Sequence, residues 1–249
     1  MNLIPFFIIC PLNFLAGLVD SIGGGGGLIS LPAFMLAGLS PHAAVATNKL
    51  ASTTGTTVST VRYCKNGYYE KKLAVPGILL ALLGSFLGAR LVLHTNDIIL
   101  KRMMLFILPI VAVIVLLDKK KPEYDSSFPA SYRMLIVCIS AFLIGLYDGF
   151  YGPGTGTFLL LALTKAARMD IRTASGNVKL INLSSNAAAL ATFLLSGYVH
   201  IAYGIAGAVF CLLGHYIGSG LVMKNGSKIV RPVIVLVLLL LFAKIISGN

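Results

Sequence analysis

Lys49 and Lys179 are the residues of this 249-residue chain whose setting most needs a chemical explanation. Each lies inside a long apolar run. A lysine at the centre of a membrane helix costs about 2.5–3.5 kcal/mol on insertion scales. Ser52 and Thr56 follow Lys49 at i+3 and i+7, and Asn182 and Asn186 follow Lys179 at the same intervals. Asn48 and Asn177 lie just upstream. The intervals of three and seven place Lys49, Ser52 and Thr56 on one helical face, and Lys179, Asn182 and Asn186 on one face of theirs. Two such faces, each with one cation and several hydrogen-bonding groups, suit a small anion held between them. The alternatives are that each lysine snorkels to the membrane surface, or that it pairs with Asp148 or Asp20 as a structural bridge.

Two glycine-rich breaks add a second kind of anion chemistry. Gly23-Gly24-Gly25-Gly26-Gly27 precedes a short apolar piece at 27–38, and Gly152-Pro153-Gly154-Thr155-Gly156 precedes another at 156–165. A helix that starts after Gly27 or Gly156 presents free backbone N–H groups and the positive end of its dipole, which attract an anion without any side-chain charge. Gly24, Gly25, Gly26, Gly27, Gly154 and Gly156 therefore join the two polar stripes as expected substrate-binding residues. Close helix packing through small residues is the other use of such breaks. Asp20 and Asp148 stand just before the breaks, one in each. An intramembrane carboxylate is a candidate for proton coupling; the alternative is that it accepts hydrogen bonds from the N–H groups of the break.

Other chemistries are excluded by pattern. His42, His94, His200 and His215 show no metal-ligand spacing, and a helix–helix hydrogen bond is the expected use of His215. The four cysteines are scattered and read as small hydrophobes rather than metal or redox pairs. No phosphate loop is present, so ATP is not the direct drive, and the glycine run lacks the βαβ setting of a dinucleotide fingerprint. With no nucleophile or metal-hydrolase motif either, the expectation is a non-enzyme without cofactor or metal.

The elements that must position these residues are membrane helices. The chain is 57% hydrophobic and 11% charged, with mean hydropathy +0.90, whereas soluble domains carry about 25% charged residues. The net charge of +12 lies between the apolar runs, so the expected partners are the lipid bilayer and a small anion, with protons as a coupling ion, and not nucleic acid. A span needs about 20 mostly apolar residues. Full spans are expected at 3–21, 42–61, 73–93, 101–117, 132–150, 173–196, 199–222 and 230–247, the first read as a span and not a cleaved signal.

The chain also repeats itself. Phe14 to Asp20 matches Phe142 to Asp148, Asn48-Lys49-Leu50 answers Asn177-Val178-Lys179-Leu180, and Leu83-Gly84 with Leu87-Gly88 resembles Leu213-Gly214 with Ile217-Gly218. A first membrane repeat is expected at 1–120, a charged cytoplasmic linker at 121–131 and a second repeat at 132–249. Loop charge is reversed between them. In the first half, Arg62, Lys65, Lys71 and Lys72 follow the lysine-bearing run; in the second, Lys165, Arg168 and Arg172 precede it. Such reversal predicts halves of opposite orientation. Inversion needs an odd number of crossings per half, which the short pieces supply. The expected fold is an all-α polytopic membrane protein of two inverted repeats, about five segments each, with broken half-helices at the glycine-rich sites and both termini extracytoplasmic. Broken helices near the midplane are a pointer to the site of a transporter.

The run Gly17-Leu18-Val19-Asp20-Ser21-Ile22-Gly23-Gly24-Gly25-Gly26-Gly27-Leu28-Ile29-Ser30-Leu31-Pro32, with Gly38-Leu39-Ser40-Pro41 and Ala46-Thr47-Asn48-Lys49, resembles the sulfite exporter TauE/SafE family. The run Asn177 to Asn186 is similar to that family's second repeat, and the likeness covers nearly the whole chain. It implies a secondary transporter in the cell membrane for sulfite, a sulfonate or a related organosulfur anion, working by alternating access. An anion channel is the alternative. Gly152-Pro153-Gly154-Thr155-Gly156 departs from the family, which more often has a purer glycine run there.

The loop charges yield a test of topology. Single cysteines placed at Lys120 and Lys228, in a background without native cysteines, are expected to resist membrane-impermeant reagents added to intact cells. Strong external labelling at either position would overturn the orientation.

Overall fold

The computed structural model describes residues 3–99, 124, 125, 127–225, 228 and 229. The expected spans at 101–117 and 230–247 lie outside the described residues. Within them the chain is all-α, with α1 (Ile4–Gly23), α2 (Gly27–Leu36), α3 (Pro41–Lys65), α4 (Lys71–Leu93), α5 (Ala130–Phe150), α6 (Thr155–Leu161), α7 (Ile171–Leu195) and α8 (Ile201–Asn225). A π-helical turn, Ala162–Ala166, continues α6. Five of these helices, α1, α4, α5, α7 and α8, are long and apolar enough to cross a membrane.

The helix ends follow local chemistry. Ser40 caps α3 through its hydroxyl, which accepts from the Ala43 N–H, and Pro41 occupies the first turn where its missing N–H costs nothing. Asp170 caps α7, its carboxylate accepting from the N–H groups of Arg172 and Thr173 at 3.0 and 3.2 Å. Several helices extend past the apolar runs that predicted them: α3 continues through Arg62 and Lys65, and α4 begins at Lys71. Hydropathy falls at the first charge, whereas backbone hydrogen bonding continues until a cap or a left-handed residue ends it. The second short piece begins at Thr155, ahead of Gly156, because Gly154 at φ 90° forms the cap. In the linker, Arg168 pairs with Asp125 at 3.0 Å. The Ser127 hydroxyl and amide hold the Asp125 carboxyl below the usual carboxylate range.

Glycines set the packing. Gly17, Gly214 and Gly218 bring α1 onto α8 at backbone contact, and Gly84, Gly88, Gly145 and Gly149 do the same for α4 and α5. These are the close approaches that small residues permit in the absence of a hydrophobic drive between helices. Contacts also give helix direction. Phe6 meets Tyr203 and Gly17 meets Cys211, so α1 and α8 run parallel. Gly77 meets Val137 and Gly88 meets Leu146, so α4 and α5 run parallel too. Leu50 meets Gly204 and Ser59 meets His215, aligning α3 with α8. Gly77 meets Ile181 and Ser85 meets Ser185, aligning α4 with α7. Lys49 meets Asn186 while Thr60 meets Lys179, so α3 and α7 run antiparallel.

Gly88→Ala would drive a methyl group into the Leu146 carbonyl. Overpacking of this kind costs about 1–3 kcal/mol. Thermal unfolding in detergent is expected to show a lower midpoint for Gly88→Ala and little change for Leu87→Ala, whose side chain is exposed on the helix surface. Equal midpoints would show that α4 and α5 part without cost.

Candidate functional site

The antiparallel pair α3 and α7 carries the two lysines into the middle of the molecule, and both are buried, Lys49 at 1% and Lys179 at 3% exposure. Neither reaches the surface, so neither snorkels. Lys49 Nζ lies 2.8 Å from Asp148 Oδ2 and donates to Asn186 Oδ1 at 3.0 Å. Lys179 Nζ lies 3.1 Å from Asp20 Oδ2 and donates to the Asp20 carbonyl at 2.6 Å. Each ion pair therefore joins a lysine of one half to the pre-break aspartate of the other. An uncompensated charge in such surroundings is strongly disfavoured, and pairing with hydrogen bonding is what makes burial tolerable.

The two breaks meet between these pairs. Gly24, at φ 78°, packs its backbone directly on Gly156 and Thr157, where no side chain fits, and Gly27 packs on Pro153. The Thr157 hydroxyl donates to the Gly23 carbonyl at 2.9 Å. Asp20 Oδ1 accepts from the Gly26 N–H at 3.1 Å, one of the donors that the first break exposes. Tyr147 secures the second break by donating to the Pro153 carbonyl at 2.6 Å.

A cavity of about 20 Å³ opens beside the crossing, lined by Asp20, Gly27, Asn48, Lys49, Ser52, Asp148, Gly152, Thr155, Gly156, Asn182 and Asn186. Nine of these were expected from the sequence. Two side-chain hydrogen bonds hold amides of that wall: Asn186 Nδ2 donates to Asn182 Oδ1 at 3.0 Å, and Ser30, from behind the wall, donates to Asn48 Oδ1 at 2.6 Å. The volume suits about one water molecule, so an anion of several heavy atoms enters only if the walls move or an ion pair opens.

Other expected residues stand away from that cavity. Gly24, Gly25 and Gly26 are buried in the first break, and Gly154 caps α6. Thr56, on the same helical face as Lys49, and Asn177, two residues before Lys179, are both buried, each with one side-chain oxygen left without a hydrogen-bond partner. Lys179 lies behind Asp20 rather than on the wall. The sequence reading passed over Gly152, Thr155 and Ser185. Ser185 donates to Asp148 Oδ2 at 2.7 Å. It follows Asn182 by three residues, so the helical face already drawn through Lys179 and Asn182 reaches it.

The family model for "Sulfite exporter TauE/SafE" matches residues 9–245. The chain belongs to the TauE/SafE family. It is 35% identical over 235 residues to "Probable membrane transporter protein YfcA" of Escherichia coli (strain K12), covering 94% of this chain and 87% of that protein. It is 32% identical over 246 residues to "Probable membrane transporter protein ORF9" of a Sinorhizobium species, covering 99% and 93%. A "Probable membrane transporter protein" of Haemophilus influenzae is 31% identical over 239 residues, covering 96% and 93%. No solved structure matches. With its apolar helices, this family membership makes the chain a multi-pass membrane protein of a transporter family.

The ion pairs admit a direct test. Asp148→Asn leaves Lys49 buried without a counter-charge, and breaking a buried pair from one side costs about 3–5 kcal/mol. Lys49→Gln combined with Asp148→Asn removes both charges and is expected to regain much of that loss. Unfolding midpoints of the two single variants and the double variant form the cycle. Additive losses would show that the pair has no coupling energy.

Proposed function

We propose that this chain is a secondary transporter of a small, sulfur-containing anion, such as sulfite or a sulfonate, working by alternating access between two inverted halves. The single observation that carries the reading is the pair of ion bridges, Lys49 with Asp148 and Lys179 with Asp20, which join the halves where the two breaks cross. Opposite directions of α3 and α7 support the inversion. So do the parallel pairings of α1 with α8 and α4 with α5, which together turn each first-half helix against its counterpart. The membrane repeats at 1–120 and 132–249, the linker at 121–131 and the extracytoplasmic termini belong to the same proposal. It rests on the reversed loop charges.

The chemistry follows from charge accounting. With both lysines and both aspartates ionised, the centre is formally neutral. An anion that takes over Lys49 must displace Asp148, and Asn48, Ser52, Asn182 and Asn186 offer it hydrogen bonds in exchange. The cavity is too small for a standing aqueous pore, which favours a carrier over a channel. Asp20 or Asp148, once released from its lysine, is free to take a proton, so an anion and a proton can move together without ATP.

Binding of sulfite, methanesulfonate and acetate to purified protein, read by thermal shift and by radiolabel displacement, tests the assignment. A hydrogen bond to a charged group contributes on the order of 1.5–3 kcal/mol. Lys49→Gln is therefore expected to weaken sulfur-anion binding roughly ten-fold or more, with Lys72→Gln unchanged. Unaltered affinity in folded Lys49→Gln and Lys179→Gln would leave both lysines as structural bridges only.

A further inference from the structure

The two halves are not chemically equivalent around their aspartates. Beside Asp148, Ser185 of α7 donates to its Oδ2 at 2.7 Å, and Ser85 of α4 donates to the Ser185 carbonyl at 2.5 Å. The repeat pairs Ser185 with Gly55, and Ser85 with His215, since Leu83-Gly84-Ser85 matches Leu213-Gly214-His215. Beside Asp20, then, the serine that would touch the aspartate is replaced by Gly55, and the serine behind it by His215. The imidazole occupies the room that Gly55 leaves. A Cβ there would stand 2.5 Å from His215 Cδ2. His215 is 1% exposed, and its Nε2 lies 3.5 Å from Asp20 Oδ2. A fixed hydroxyl donor in one half has become a titratable ring in the other.

The hydrogen bonds around the ring suit a held proton. Ser59 Oγ stands 3.0 Å from His215 Nδ1 and also donates to the Thr56 carbonyl at 3.0 Å. When the serine proton goes to Thr56, Nδ1 carries a hydrogen toward Ser59. Nε2 then turns a lone pair toward the Asp20 carboxylate unless a further proton sits between them. That proton, on the ring or on the carboxyl, gives every donor in the row an acceptor. Among the described residues, the charged and titratable groups that face the ring are Asp20 from α1, Lys179 from α7 and Cys211 from its own helix, with Arg62 of α3 further along over Tyr216. Asp148 has no such neighbour among the described residues; Lys49 and Ser185 take its Oδ2.

We infer that the Asp20–His215 pair is the proton-carrying site of this transporter, that one proton moves with each monovalent anion, and that the Asp148–Lys49 pair takes no part in proton movement. This rests on the anion-carrier reading. The charge balance explains the coupling. Without proton or anion, Asp20 cancels Lys179 and Asp148 cancels Lys49, and the centre is neutral. A proton from the water on one side raises the centre to one positive charge, and a monovalent anion cancels it again. A state with only one of the two leaves an unpaired charge in a low-dielectric interior, which is penalised. Only the empty and the fully loaded centres cross cheaply, and the proton leaves with the anion to the water on the other side.

The test uses the full chain in proteoliposomes with methanesulfonate, which stays a monoanion as pH changes, so that any proton moved belongs to the protein. Wild type is expected to accumulate methanesulfonate down a pH gradient and to acidify the lumen one proton per anion. His215→Gln should lose accumulation while keeping methanesulfonate exchange. Gly55→Ser combined with His215→Ser, which rebuilds beside Asp20 the hydroxyl pair standing beside Asp148, should fold and behave likewise. Proton drive retained in both His215 variants would overturn the assignment. A second readout needs no substrate: in detergent, the ring nitrogen resonances of His215 are expected to titrate, and Asp20→Asn to move that titration. Wild type that moves neither methanesulfonate nor sulfite would sink the anion-carrier reading, and the resonances would still judge the pair. A His215 ring indifferent both to pH and to Asp20→Asn would overturn the inference.

Discussion

Four charges held in a low-dielectric interior constrain everything else in this molecule. A lysine or aspartate cannot be buried singly without a large penalty, so Lys49 requires Asp148 and Lys179 requires Asp20. Each requirement crosses between the halves. The breaks must therefore come close enough for the aspartates to reach across, and that closeness is possible only because Gly24 and Gly156 have no side chains to separate the backbones. The glycines at the crossing and the charges beside it are one device: the first permits the approach, and the second holds it.

The same device is suited to movement. A hydrophobic seam between halves has no specific register, whereas two ion pairs define one arrangement sharply and can be exchanged for another partner of like charge. In the proposed carrier, a substrate anion is such a partner. The contacts of α1 on α8 and α4 on α5 run largely through glycines at backbone contact. Such contacts leave room for the rocking that the proposed carrier requires, with Asn48, Ser52, Asn182 and Asn186 on the cavity wall as hydrogen-bonding groups.

The departure from symmetry matters as much as the symmetry. Strictly duplicated halves would give the two aspartates the same surroundings. Gly55 with His215 beside Asp20, against Ser185 with Ser85 beside Asp148, breaks that equality by exchanging a hydroxyl for an imidazole. Pro153 makes a second difference, packing under Gly27 at a place where a plain glycine would leave a gap.

The sequence by itself determined the class, the helical breaks and the polar stripes, because each is a local property. Apolar length sets α1, α4, α5, α7 and α8, glycine runs interrupt helices wherever they occur, and a spacing of three and seven residues selects a face without reference to any neighbour. Resemblance to the TauE/SafE family was legible for the same reason, in contiguous motifs. Which residues pair across the molecule was not legible. The sequence left Lys49 open to snorkelling, to an anion or to either aspartate, and only the antiparallel crossing of α3 and α7 chose Asp148. Gly152 and Thr155 entered the cavity wall through the same crossing, Ser185 was brought against Asp148, and Lys179 was drawn behind Asp20. His215 read as a generic helix–helix contact until α3 placed Ser59 on one side of its ring and α1 placed Asp20 on the other. Pair interactions depend on distance between segments far apart in the chain, and that distance is set by how the helices pack, which no local pattern of residues encodes.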